Sequence, residues 1–272
     1  MVAVGGASFG TTIFSELSKS ATSRLNFAKN SVDFLEKYKL DGLDLDWEFP
    51  VVNSNGVDKA NFVLLLTVLK SQLSANKLIF SIAVGAGKWT GDQAYDIPKI
   101  HEQTDFINLM TYDLHGSWDG VTGHNAPMFN DAGSVDNCVK YWIANGSPRE
   151  KLILGIAAYG QLFTLANSNN NGFGAPTVGA TQLSYGEICK NNWQRVWSSS
   201  QQVPYKVSGN QWVGYDDVES VAVKAKYSNS ENLGGVMIWS MENDDATGSC
   251  GQGLSPLIRT VYEITMLGNV SI

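Results

Sequence analysis

The run Asp41-Gly42-Leu43-Asp44-Leu45-Asp46-Trp47-Glu48-Phe49-Pro50 places an acid at every second position from Asp44 to Glu48. A period of two is that of a strand, so Asp44, Asp46 and Glu48 share one face and Leu43, Leu45 and Trp47 the other. Same-side residues on a strand recur roughly every 7 Å. At that spacing carboxylates feel one another, and at least one is expected to keep its proton at neutral pH. A protonated acid beside an ionised neighbour is suited to cleaving a glycosidic bond. Two plainer readings fit less well. A solvated acidic edge strand would mix its acids with Lys, Ser or Thr, and none intervene. A calcium loop would turn its oxygens to several sides of a bend.

Asp41-Gly42-Leu43-Asp44-Leu45-Asp46-Trp47-Glu48 resembles the DxxDxDxE signature of the family-18 glycoside hydrolases, the chitinases, and Phe49-Pro50 is similar to their arthropod-like members. The resemblance implies an α/β fold, a (β/α)8 TIM barrel with a small α+β insertion domain. It also implies Glu48 as general acid and base, and Asp46, Asp44 and Tyr112 as its catalytic companions. Asp113, Met110, Tyr159, Trp239, Trp118, Gln161 and Asp41 are implied as substrate-binding residues. No cofactor or metal is expected.

The elements that must position these residues follow the α/β pattern. Val2–Val4 reads as a short buried strand ending in Gly5-Gly6, and resembles the third strand of the family barrel. About six of eight βα units are thus expected. A helix is expected from about Thr22 to Lys39, with Phe27, Ser31, Phe34, Leu35 and Tyr38 on one stripe. The acidic strand follows, then a linker Asn53-Ser54-Asn55-Gly56 and a helix from about Asp58 to Ala75. Leu78–Val84 is an apolar run of strand length, suited to a parallel sheet covered on both faces. Alternation of strand and helix argues for βα units rather than a sandwich.

Phe106–Asp113 reads as the next strand, followed by a long loop, Leu114–Asn130, with His115, Trp118, His124 and Pro127. In a βα barrel the C-terminal strand ends carry the chemistry, so Tyr112 and Asp113 are expected beside Glu48. Met-Thr-Tyr-Asp and the loop after it are again similar to the family. Met110 fits equally well as core filler. A helix from about Val135 to Ala144 leads to a strand over Leu152–Gly160. There the family usually has Arg directly after Tyr-Gly, whereas this chain has Gln161, which keeps hydrogen bonding and loses charge.

The interval from there to Gly234 is too long for a single crossover helix. Its strands over Val203–Val207 and Gln211–Tyr215 and a helix near Leu183–Lys190 resemble the chitinase insertion domain. The expected division is residues 1–161 and 216–272 for the barrel and 162–215 for the insertion. Asp217 is expected to cap the returning helix, with Glu219 in its first turn. A last strand ends at Trp239, on which the resemblance implies a stacked sugar, and Pro256 opens a closing helix through Met266.

Composition narrows the partners. A chain of 272 residues with a formal charge of −7 and a pI near 4.9 lacks the clustered cations that nucleic acid requires. It has no apolar run of about 18 residues, so no membrane span is expected. Eight Trp are compatible with sugar binding and with core packing alike. Three cysteines leave one over if a disulfide forms. The resemblance implies Cys189 paired with Cys250, with Cys138 as a small buried filler. Asn145-Gly146-Ser147 and Asn269-Val270-Ser271 match the glycosylation pattern, the first spoiled by Pro148. Met1–Gly6 is too short to be a signal peptide, yet a secreted setting is expected, with a monomer acting on chitin or chitooligosaccharides. The expected reaction is endo-type, substrate-assisted, retaining hydrolysis. The alternative is a weak or inactive chitinase-like lectin or growth-factor-like protein.

Overall fold

The computed structural model describes residues 1–51 and 56–267; Asn53-Ser54-Asn55 of the expected linker and the glycosylation match at Asn269 lie outside the described residues. The chain divides into two compact units, Met1–Met110 with Val139–Ile153, and Thr111–Cys138 with Leu154 onward.

The first unit alternates strands with helices: β1 (Val2–Gly5), α1 (Thr12–Lys19), α2 (Ala21–Tyr38), β2 (Gly42–Asp46), α3 (Val57–Ala75), β3 (Ile79–Gly85), α4 (Lys88–Ala94), α5 (Ile97–Ile100) and β4 (Phe106–Met110). It also takes in the end of α6 (Val135–Ala144) and the start of β5 (Leu152–Ala157). The strands lie in chain order, β1-β2-β3-β4-β5. β1 to β4 pair in parallel, with Ala3 opposite Asp44, Asp44 opposite Ser81, and Ala83 opposite both Asp46 and Asn108.

Physical cause is visible element by element. Phe62, Leu65, Leu66, Leu69 and Leu73 of α3 recur at helical spacing and are buried. From Phe80 onward every residue of β3 is buried, as a strand covered on both faces requires. Ser20 caps α2 by accepting from the Ser23 N–H at 3.3 Å. Lys39 closes that helix in the left-handed region (φ 53°), and Leu40 N–H donates to the Leu35 carbonyl.

Two expectations are corrected here. β1 is not buried: Val2 and Val4 are half-buried and Ala3 is exposed, because β1 ends the strand order and, among the described residues, pairs with β2 alone. The buried stripe of α2 is Ala28, Ser31, Val32 and Leu35, while Phe34 and Tyr38 are exposed. Those two rings cover each other, centroids 4.6 Å apart, with the Lys37 ammonium 5.2 Å from the Tyr38 ring.

A row of aromatic rings runs through this unit. Phe9, Phe14, Trp47, Phe62, Tyr95 and Trp142 follow one another with centroid separations of 5.3, 5.6, 5.7, 5.9 and 5.5 Å. Each polar tip is satisfied. Trp47 Nε1 donates to Thr11 Oγ1 at 2.6 Å, Trp142 Nε1 to the Ala86 carbonyl, and the Tyr95 hydroxyl accepts from Gly85 N–H.

The second unit contains the remainder of β5, then β6 (Tyr159–Leu165), β7 (Thr177–Ser184), α7 (Tyr185–Ile188), β8 (Gln194–Ser198), β9 (Val203–Ser208), β10 (Gln211–Gly214), α8 (Val218–Ser230), β11 (Gly235–Trp239) and α9 (Pro256–Met266). β11 neighbours β5. The other five strands form an antiparallel sheet, β7-β6-β10-β9-β8, over Phe163, Leu165, Ala175, Val207 and Trp212. Leu152–Gly160 is therefore not one strand. β5 stops at Ala157, where Ala158 N–H donates to the Trp239 carbonyl and its own carbonyl accepts from Tyr185 N–H, and Tyr159 and Gly160 begin β6.

Asp217 caps α8 as expected, accepting from Glu219 and Ser220 N–H groups at 3.1 and 3.2 Å. Cys189 is bonded to Cys250. Cys138 is free and buried, and burial pushes its thiol up to about 12.

Phe62, 1% exposed, contacts two other rings of the aromatic row. Phe62→Ala is expected to destabilise the fold by about 3–5 kcal/mol, read as a lower urea midpoint by circular dichroism. A midpoint equal to wild type would mean that the aromatic row carries no stability.

Candidate active site

Within the first unit the acid row starts on β2 and leaves it. Asp44 and Asp46 lie on the strand and Glu48, half-buried, lies two residues beyond it, joined to Phe49 by a cis peptide bond. Leu43, Leu45 and Trp47 on the alternate positions are all buried. Neighbouring strands serve Asp44: Ser81 Oγ of β3 donates to its Oδ1 at 2.5 Å and Asn108 Nδ2 of β4 at 3.0 Å. Burial raises the Asp44 carboxyl above its usual range, with those two hydrogen bonds opposing.

Asp46 is served differently. It is 9% exposed, and its Oδ1 is buried with no hydrogen-bond partner among the described residues. Burial first, then the charges of Glu48 and Asp44, push its carboxyl up to about 7. The sequence-based expectation that one acid stays protonated near neutrality falls on this residue. Asp41 is exposed and lies at the opposite end of β2 from Glu48. Met110 closes β4, half-buried, on the face it shares with Asn108.

The second unit assembles a polar cluster of its own residues. Tyr112 and Asp113 fall beyond β4, which ends at Met110. Asp113 adopts a left-handed backbone (φ 52°) and its N–H donates to Asn125 Oδ1 at 2.9 Å. Tyr159 Oη donates to its Oδ2 at 2.7 Å and Gln161 Nε2 to its Oδ1 at 2.6 Å, with Gln182 Nε2 at 3.5 Å. The Tyr112 ring meets Tyr159 edge-on at 6.1 Å. Trp118 and Trp239 are 64% and 52% exposed, so each offers an indole face to solvent.

Sequence reasoning missed Asn125 and Gln182. Asn125 is 1% exposed and clamps the loop, its Nδ2 donating to the Tyr159 carbonyl at 3.1 Å. An Asn in a polar loop announces nothing until the chain folds back, whereas Gln182 would have required β7 to be recognised. His115 is bracketed by Asp119 and Asp131, at 3.1 and 3.0 Å. His124 is stacked on Phe173, and burial pushes its imidazole down to about 3. Cys189, Asp245 and Cys250 are the one group with metal-ligand proximity among the described residues, and its two sulfurs are bonded to each other.

Parallel βα units and a row of three acids, two on β2 and one just beyond it, fit the class of glycosyl hydrolases with an α/β barrel fold. The chain belongs to glycosyl hydrolases family 18, whose profile matches residues 1–244. It is 41% identical to chitotriosidase-1 of Mus musculus over 97% of this chain, and spans 62% of that relative's length. Its structure is similar to the Ostrinia furnacalis Group IV chitinase in complex with allosamidin, at TM-score 0.95 and 35% identity, covering 98% of this chain and 79% of the other. It is also similar to human YKL-39, a pseudo-chitinase with retained chitooligosaccharide binding, at TM-score 0.92 and 36% identity, covering 98% and 80%.

The raised Asp46 carboxyl ties stability to pH. Its ordinary value of 3.8 applies to the unfolded chain and about 7 to the folded one, so the folded state holds the proton more tightly. Raising pH through that window ionises the unfolded chain first and destabilises the fold, by at most about 4 kcal/mol when complete. Asp44 acts in the same sense. Asp46→Asn is expected to flatten the fall in urea midpoint between about pH 4 and pH 7. An unchanged fall would place the proton elsewhere.

Proposed function

We propose that the chain hydrolyses β-1,4-linked N-acetylglucosamine polymer by endo-type, retaining, substrate-assisted cleavage. The observation that carries this reading is the Asp46 Oδ1, a buried carboxylate oxygen lacking a donor among the described residues, in a row that ends at Glu48. Glu48 acts as general acid, protonating the leaving glycosidic oxygen while the substrate's own acetamide oxygen attacks the anomeric carbon. Asp46 accepts the acetamide N–H and stabilises the oxazolinium cation that develops. Asp44, held by Ser81 and Asn108, shares a proton with Asp46 and sets its charge. Glu48 then takes a proton from water as that water opens the oxazolinium, and two inversions give net retention.

Tyr112 donates to the acetamide oxygen. Asp113, Tyr159 and Gln161 hold sugar substituents, Trp239 and Trp118 stack on ring faces, and Met110 contacts the acetyl methyl. The disulfide supports an oxidising, extracellular setting. No helix among the described residues is long and apolar enough to cross a membrane. A second reading, a chitin-binding protein without turnover, is favoured by the likeness to the human pseudo-chitinase.

A chromogenic chitobioside separates the two. Wild type is expected to release the chromophore, and Glu48→Gln to slow release by about 10²–10⁴-fold with an unchanged circular dichroism spectrum. Binding without any release by wild type would establish the second reading.

A further inference from the structure

Resting on that reading, we propose that Gln161 makes the Asp113 cluster selective for a glucosamine unit, a sugar carrying a free ammonium where chitin carries acetamide. The carboxylate is fixed twice over, through its backbone N–H to Asn125 and through its two oxygens to Tyr159 and Gln161. Among the described residues every side-chain donor its carboxylate meets is neutral, a phenol and two primary amides. Among the described residues Asp113 forms no ion pair. The cations of this unit that do are committed to other acids: Lys224 to Asp216, Arg195 to Asp217 and Glu219, and Arg259 to Glu263.

Asp113 is exposed, so its negative charge faces solvent uncompensated and held in place. An acetamide N–H on a sugar meets this carboxylate as a neutral donor. An ammonium adds a full positive charge and so an ion pair, worth up to about 1 kcal/mol, about fivefold in affinity, at an exposed carboxylate. An Arg at 161, the residue usual after Tyr-Gly in the resembling family, would cancel that charge. Gln keeps the geometry and leaves the charge. The formal charge of −7 acts in the same direction, drawing a polycationic glycan toward the protein and leaving a neutral one unaffected.

The test compares dissociation constants by calorimetry for fully N-acetylated chitotetraose and for tetramers with one or two glucosamine units. The full chain carrying Glu48→Gln is used so that neither ligand is consumed. It is expected to bind the glucosamine-containing tetramers more tightly, with a preference that narrows as salt is raised. Adding Gln161→Arg, or in a separate protein Asp113→Asn, is expected to cut that preference about two- to fivefold. The same preference before and after Gln161→Arg, with the fully acetylated tetramer still bound, overturns this inference and leaves the chitinase reading standing. Failure of the folded protein to bind any of the tetramers overturns both.

Discussion

Negative charge is costly to take out of water, and on β2 the first unit holds one carboxyl group, Asp46, that is buried and another, Asp44, that is half-buried. Asp44 is made tolerable by a hydroxyl from β3 and an amide from β4, both aimed at one oxygen. Asp46 receives no such donor on its Oδ1 and keeps its proton to about pH 7 instead. The parallel register makes this difference possible. It sets Asp44 opposite Ser81, whereas Asp46 is opposite Ala83, whose side chain has nothing to donate. Behind the strand, Trp47 is locked into the aromatic row and hydrogen-bonded to Thr11, so the backbone leading to Glu48 is anchored on its other face.

Strongly periodic segments were readable in the sequence. The 3.6-residue recurrence of Phe62, Leu65, Leu66 and Leu69 defines α3, and the two-residue recurrence around Asp44 and Asp46 defines β2. What periodicity does not reveal is where a pattern stops being structure. The alternation runs on to Glu48 although the strand ends at Asp46, and Met110 is the last strand residue although the strand-like pattern reads on to Tyr112. Phe34 and Tyr38 sit on the flank of a buried stripe, and sequence cannot tell a flank from its centre when both are aromatic.

The candidate site was legible to the same degree. Acids spaced by two announce themselves, whereas in the Asp113 cluster Asp113, Tyr159 and Gln161 are named as binding residues only through the family resemblance and Asn125 and Gln182 not at all, because its members meet across 12 to 69 positions of chain. The second unit treats its acids in two ways. Asp216 is buried with Lys224 in full ionic contact and a hydroxyl from Ser220. Such a pair is structural, since removing either partner strands a charge away from water. Asp113 stays at the surface with amides and a phenol for company, an arrangement that leaves its electrostatic field directed outward.

Cys138 gives this protein a chemical asymmetry between its folding chain and its finished state. A thiol attacks a disulfide only as thiolate, and with its ionisation pushed up to about 12 almost none exists at neutral pH. Its sulfur is turned to the Gly133 carbonyl and shielded from solvent. Once folded, the Cys189–Cys250 link is therefore insulated from scrambling by the third cysteine of its own chain. Before folding, no burial separates the three sulfurs and any two can join, so it is the packing of Cys138 that takes it out of the exchange.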